Sequence, residues 1–151
     1  MTDGRHRLDC GRVQIYTGDG KGKTTAALGL AFRALGYGLD VLMLQFAKKL
    51  RCAEHDEAER VGLRIVQGTR GTPEARADEI MDLARRALGE KGGEPVDILI
   101  LDELGEAMRR GFVTRSDVEA LIGRKPATTE LVLTGRGLLP LADLADLVTE
   151  M

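Results

Sequence analysis

The sequence predicts an α/β fold: one parallel sheet of about five to six strands flanked by helices, in a single domain spanning 1–151. Two observations carry the prediction. Apolar runs of strand length alternate along the chain with longer segments of helical periodicity, the rhythm of strands joined by crossover helices. The most apolar run, VDILILDEL at 96–104, is nearly all β-branched or Leu until two acids appear, which suits a central strand buried on both faces.

Each element follows in order. Residues 1–11 form a short polar N-terminal arm, and RVQIY at 12–16 reads as the first strand. It runs into the glycine-rich stretch TGDGKGKTT at 17–25 and then AALGLAFRALG, whose apolar residues surround almost the whole helix and imply burial against the sheet. Gly36 and Gly38 stop that helix. A strand at 41–46, a charged helical piece near 54–60, a strand at 63–67 and a helix from about 74 to 88 come next. GEKGGEP at 89–95 is a turn. Beyond the central strand lie helical segments near 105–111 and 115–123, then Lys125-Pro126, the strand LVLT at 131–134, the turn GRG at 135–137, a short helix at 140–145 and an edge strand at 147–150.

Length and composition bound the function. A chain of 151 residues holds one core. With 43% hydrophobic and 30% charged residues it is expected to be globular and soluble, and a net charge of −2 gives no footing for nucleic acid. No apolar stretch approaches the roughly 18 residues a membrane helix needs, and the start carries no signal-peptide core, so a cytoplasmic protein is expected. Two cysteines, Cys10 and Cys52, build no disulfide framework and read as reduced thiols. Cys52 and His55 fall short of a tetrahedral zinc set and read as a solvated helix start, as Arg109-Arg110 and Arg124-Lys125 read as solvated helix ends.

The most specific signal is GDGKGKTT between a strand and a buried helix. Such a turn points backbone N–H groups inward, and the helix N-terminus adds the positive end of its dipole, so the pocket holds phosphates. Gly18, Gly20 and Gly22 allow close approach, Lys23 places its ammonium on phosphate oxygens, and the Thr24 hydroxyl can ligate Mg²⁺. Thr17 stands where the general pattern has glycine, and Lys21 adds a second cation. These features describe a nucleotide-triphosphate site and a P-loop NTPase fold of the RecA-like kind. Asp102-Glu103 closes the apolar strand at the carboxyl end, where open α/β sheets place ligands, and one of the two is expected to meet Mg²⁺. Thr134-Gly135-Arg136-Gly137 ends another strand, and Arg136 can grip a phosphate.

Taken together, GDGKGKTTAALGLAFRALGYG, VLMLQFAK, ILILDEL, ELVLTGRG and LADLADLVTEM resemble the phosphate-loop type of ATP:corrinoid adenosyltransferase. That family acts on cob(I)alamin or cob(I)yrinic acid a,c-diamide. The resemblance covers most of residues 12–151. It implies that Gly18, Gly20, Lys21, Gly22, Lys23, Thr24 and Thr25 cradle the triphosphate, with Thr24 and Glu103 holding Mg²⁺. Arg136 would touch phosphate, and Asp19 and Arg33 would lie near the nucleotide; the family loop frequently carries Asn at the position of Asp19. The implied reaction is attack of cobalt(I) on the 5′ carbon of ATP with release of the whole triphosphate. Lys23, Glu103 and Arg136 would then serve charge stabilisation rather than nucleophilic attack.

Two departures from the family pattern stand out. Where the family often has a Gly-Thr-Gly-Phe-Thr-Trp type segment, whose aromatics help exclude the lower axial ligand of cobalt, this chain reads GTRGTPE at 68–74. Either Phe46 or Phe112 serves instead, or the corrinoid is handled differently. Family members also commonly continue past the acidic TEM with a basic, aromatic-containing tail, so part of a corrinoid lid is expected to be missing. The resemblance further implies a homodimer and an electron-donating reductase as partner. A P-loop ATPase or kinase, which yields ADP, and a nucleotide-binding regulatory module without turnover are the competing readings.

Overall fold

The computed structural model describes residues 7–47 and 50–151; His6 and the rest of the arm at 1–6 lie outside the described residues. Six strands form one sheet: β1 (Val13–Thr17), β2 (Val41–Gln45), β3 (Arg64–Gln67), β4 (Ile98–Asp102), β5 (Glu130–Thr134) and β6 (Leu147–Glu150). Their order is β3-β2-β4-β5-β1-β6, with every pairing parallel. The connections carry α1 (Lys23–Gly36), α2 (Ala53–Val61), α3 (Pro73–Ala87), α4 (Leu104–Arg109) and α5 (Arg115–Arg124), with 3₁₀ turns at Glu90–Gly92 and Leu139–Leu144.

This is the expected α/β architecture, a P-loop fold in which a single strand, β5, separates the strand bearing the glycine-rich loop from the strand bearing the acidic pair. Alternation along the strands sorts their side chains into two cores. Val41, Met43, Ile98, Ile100 and Val132 pack under α1 and α2. Leu42, Leu44, Leu99, Leu101, Leu131 and Leu133 pack under α3, α4 and α5. Because both faces are covered, β2 and β4 are buried at every position.

One expectation is corrected. The first helix is not buried around most of its circumference: its fully buried residues are Ala27, Ala31 and Ala34, a single stripe, while Phe32 stays 65% exposed. Methyl-sized side chains let the helix axis lie close to the sheet, and the larger apolar residues are left to the flanks. The sequence pattern cannot distinguish this from full burial, because hydrophobicity records preference and not the distance of approach.

The last strand also has a specific anchor. Asp146 Oδ2 accepts the Val13 N–H, the Asp146 N–H donates to Val13 O, and at the far end the Met151 N–H donates to Thr17 O. These bonds set β6 alongside β1 and carry the chain to the glycine-rich loop.

Candidate active site

The glycine-rich loop leaves β1 at Gly18 and enters α1 at Lys23. Gly18 (φ 107°) and Gly22 (φ 108°) lie in the left-handed region that side chains disfavour. Gly20 is glycine for a different reason: a Cβ there would stand 2.5 Å from the carbonyl carbon of Met151, and the Gly20 N–H donates to Met151 O at 2.8 Å. The end of β6 therefore forms one wall of the loop, a contact for which the sequence carries no signal. Thr17 needs no positive φ because it is still strand; buried, it accepts the Leu138 N–H on its hydroxyl and ties the loop's root to the turn after β5.

Lys23 folds over the loop, donating from Nζ to Gly18 O at 2.8 Å and Gly20 O at 2.5 Å. Thr24 Oγ1 donates to Asp102 Oδ1 at 2.8 Å. Lys21 and Thr25 are exposed at the loop and the first turn of α1. Arg33 is not brought to this place: at about 1.5 Å of rise per residue it lies roughly 15 Å down the helix axis from Lys23. There it lines a separate shallow cavity with Phe32, Leu35 and Val61.

The acidic pair divides its labour. Asp102 is fully buried and accepts three side-chain hydrogen bonds: Thr24 and Thr134 hydroxyls on Oδ1, at 2.8 and 2.7 Å, and the Gln45 amide on Oδ2 at 3.1 Å. Glu103 sits in the left-handed region (φ 60°), an uncommon conformation for a side-chain-bearing residue, and donates its N–H to Thr134 Oγ1 at 3.1 Å. The twist at Glu103 turns the chain out of the sheet, so that Asp102 points inward and Glu103 lines the surface cavity. Neither carboxylate caps α4, contrary to the simplest reading of acids before a helix.

That cavity is lined by Asp19, Glu103, Glu106, Met108, Arg109 and Arg136, together with Gly105 and Gly137. A Cβ on Gly105 would meet Arg136 O at 2.1 Å, and one on Gly135 would meet Gly105 N at 2.5 Å. Two facing glycines thus let the start of α4 press against the turn after β5, which brings Glu103 and Arg136 to one cavity. Arg109 pairs with Glu106 and holds that carboxyl below its usual range. Arg109, which by its sequence reads as part of a solvated helix end, instead lines this cavity, and so do Gly105, Glu106 and Met108, for which the G that follows DEL is the available sequence signal.

A second cavity adjoins through Glu106 and is lined by Phe46, Pro73, Arg76, Arg110 and Phe112. The Arg110 guanidinium lies over the Phe112 ring, 4.7 Å from its centre, so Arg110 is not simply solvated. The GTRGTPE segment beside it is held by Glu79, which accepts the N–H groups of Thr69 and Arg70 and the Thr69 hydroxyl; these bonds, the Thr69 N–H first among them, lower the Glu79 carboxyl. The Cys52–His55 start of α2 is likewise not a solvated end, because His55 is buried. Cys10 and Cys52 are both free thiols, and among the described residues no helix is long and apolar enough to cross a membrane.

Comparison with known proteins places these features in context. The family described as ATP:corrinoid adenosyltransferase BtuR/CobO/CobP matches residues 9–151. A corrinoid adenosyltransferase of Pseudomonas aeruginosa is 33% identical over 96% of this chain and 76% of its own length. The corrinoid adenosyltransferase CobA of Salmonella typhimurium is 34% identical over 93% of this chain and 76% of its own. Among solved structures, the flagellar accessory protein FlaH of Methanocaldococcus jannaschii superposes with a TM-score of 0.64 at 13% identity, covering 98% of this chain and 73% of that one. At that identity the likeness is one of fold.

Proposed function

The chain belongs to the ATP:corrinoid adenosyltransferase family, and from that membership together with the site we propose that it transfers the 5′-deoxyadenosyl group of ATP to the cobalt(I) of a corrinoid, releasing triphosphate, in adenosylcobalamin biosynthesis or salvage. The observation that carries the proposal is the convergence at one cavity of three strand ends: the loop after β1, the acidic pair after β4 and the TGRG turn after β5.

In the proposed reaction the cobalt–carbon bond forms as the bond from C5′ to the triphosphate oxygen breaks, and the electron pair leaves with the triphosphate. No protein nucleophile is needed. The chain's task is to hold the two substrates in line and to stabilise charge gathering on the leaving group. Backbone N–H groups of the loop, Lys21, Lys23 and Arg136 are suited to that charge, with Lys23 exchanging its loop carbonyls for phosphate oxygens. Asp19 lines the same cavity at the nucleotide's side.

Mg²⁺ fits the residues present. Thr24 gives its hydroxyl proton to Asp102, which leaves its oxygen lone pairs for a cation, and Glu103 supplies a carboxylate at the same strand end, an all-oxygen donor set of the kind Mg²⁺ takes. When bound, the ion would offset negative charge on the triphosphate. Thr24 and Glu103 are the residues proposed to hold it, with Asp102 orienting Thr24 from behind.

The proposed corrinoid site is the adjoining cavity, whose lining by Phe46, Pro73, Arg110 and Phe112 supports an apolar face for the ring. Its cobalt must be reduced before it can attack, so an electron-donating reductase is a proposed partner, and a homodimer is the proposed assembly. An anaerobic assay with ATP and a chemically reduced corrinoid tests the function. Adenosylated corrinoid and intact triphosphate in equal amounts are expected, and ADP formed irrespective of corrinoid would overturn the proposal.

A further inference from the structure

Behind Asp102 runs a chain of buried polar side chains that the proposed reaction does not itself require. The Cys52 N–H donates to His55 Nδ1 at 2.9 Å, which places the proton of the neutral ring on Nε2. His55 Nε2 lies 2.9 Å from Gln45 Oε1, which also accepts from Gln67 Nε2 at 3.2 Å. With its oxygen taken by two donors, the Gln45 amide has only one orientation: its nitrogen faces Asp102 Oδ2 and donates at 3.1 Å. Gln45 and Asp102 are fully buried and His55 nearly so. An apolar β2 of VLML leads up to Gln45, so its amide is placed in the core against the trend of its own strand.

We propose that Gln45, backed by His55, is a positioning residue for the metal end of the nucleotide site. By occupying Asp102 Oδ2 it fixes the carboxylate so that Oδ1 faces Thr24, and it thereby sets the direction of the Thr24 hydroxyl. Asp102 accepts on both oxygens, so its rotation about the terminal bond is blocked from both sides. With Gln45 removed, Oδ2 loses the side-chain donor it has among the described residues, the carboxylate can turn, and the Thr24 proton is no longer held away from the cation. The proposal rests on the reading of the loop as an ATP site in which Thr24 meets Mg²⁺. It concerns residues 21 and 31 positions beyond Thr24 in sequence, outside the three motifs that mark the site.

The test measures ATP affinity by calorimetry, once with Mg²⁺ and once with EDTA, in the wild type, in Gln45→Met, which keeps length without the amide, and in His55→Leu. Circular dichroism confirms folding of each. The readout is the ratio of the two dissociation constants, which a merely structural role would leave alone. The ratio is expected to fall roughly tenfold in Gln45→Met, the scale of one lost charge-assisted hydrogen bond. A fall in the same direction but about two- to threefold is expected in His55→Leu, and this variant decides the matter if Gln45→Met does not fold. Combining either substitution with Thr24→Val should add no further fall. A Mg²⁺-dependent wild type whose ratio is unchanged in folded variants overturns the proposal alone. A wild type that binds ATP equally with and without Mg²⁺ overturns the reading of the site, and this proposal with it.

Discussion

Lys23 donates to two neutral loop carbonyls, and its ammonium would be held more strongly by the anionic oxygens of a phosphate, where both partners are ionised. Lys23→Ala is therefore expected to abolish ATP binding in calorimetry, and unchanged affinity would remove the loop from the site. Glu103→Gln keeps the shape and loses the charge. It should fold as the wild type does by circular dichroism and bind ATP less tightly only when Mg²⁺ is present; unfolding would instead make Glu103 a structural residue. Gly20→Ala tests the wall formed by β6, since the new Cβ must displace Met151 backbone from 2.5 Å, a shift expected to cost on the order of 1–3 kcal/mol in chemical denaturation. Wild-type stability in that variant would show that the end of β6 moves away freely.

At the scale of elements, the helices respond to local chemistry that leaves the site untouched. Gly29 lies inside α1 with nothing within 4 Å of an added Cβ, so Gly29→Ala should stabilise the protein by about 0.5–1 kcal/mol with ATP affinity unchanged. The start of α5 carries a reciprocal cap: the Asp117 N–H donates to Thr114 Oγ1 while the Asp117 carboxylate accepts from the Thr114 N–H and hydroxyl. Those bonds, the backbone one foremost, hold the Asp117 carboxyl below its usual range. A carboxyl lowered by folding contributes stability that is fully present above its unfolded value near 4 and is lost as pH falls through its folded value. The melting temperature of the wild type should accordingly exceed that of Asp117→Asn at pH 7, and the gap should close in acid below about pH 4. A gap independent of pH would assign the effect to shape rather than charge.

For the molecule as a whole, the adjoining cavity bears on the proposed corrinoid site and on the GTRGTPE segment that stands where the family often has aromatics. The structure brings Phe46 from the end of β2, Phe112 from the turn after α4 and Pro73 from the GTRGTPE segment to one cavity. Of the alternatives left by the sequence, this favours the two phenylalanines as the apolar surface against a corrinoid. Each buried ring is worth on the order of 1.5–3 kcal/mol, and about 1.4 kcal/mol is tenfold in rate. Phe46→Ala and Phe112→Ala are therefore expected to slow turnover of cobalamin at least tenfold, and to slow turnover of cobinamide, which lacks the lower base, much less. Equal slowing on both substrates would place the rings in general corrinoid contact without a part in excluding the lower ligand.

The α/β class, the strands to within one or two residues, the glycine-rich loop between strand and helix and the acidic and arginine-bearing turns were legible in the sequence because each rests on local physics. Period, β-branching and glycine at a strand-to-helix turn all act within a few residues. The tertiary structure decided which of two adjacent carboxylates turns inward, because that depends on the left-handed Glu103, on Thr24 from the first turn of α1 and on Thr134 from the end of β5. It also decided that α1 buries only its alanines, that Arg33 lies far from the loop, and that Met151 walls Gly20. None of these has a local signal: each is set by how closely two elements approach, and approach is a property of the packed sheet and helices rather than of any one segment.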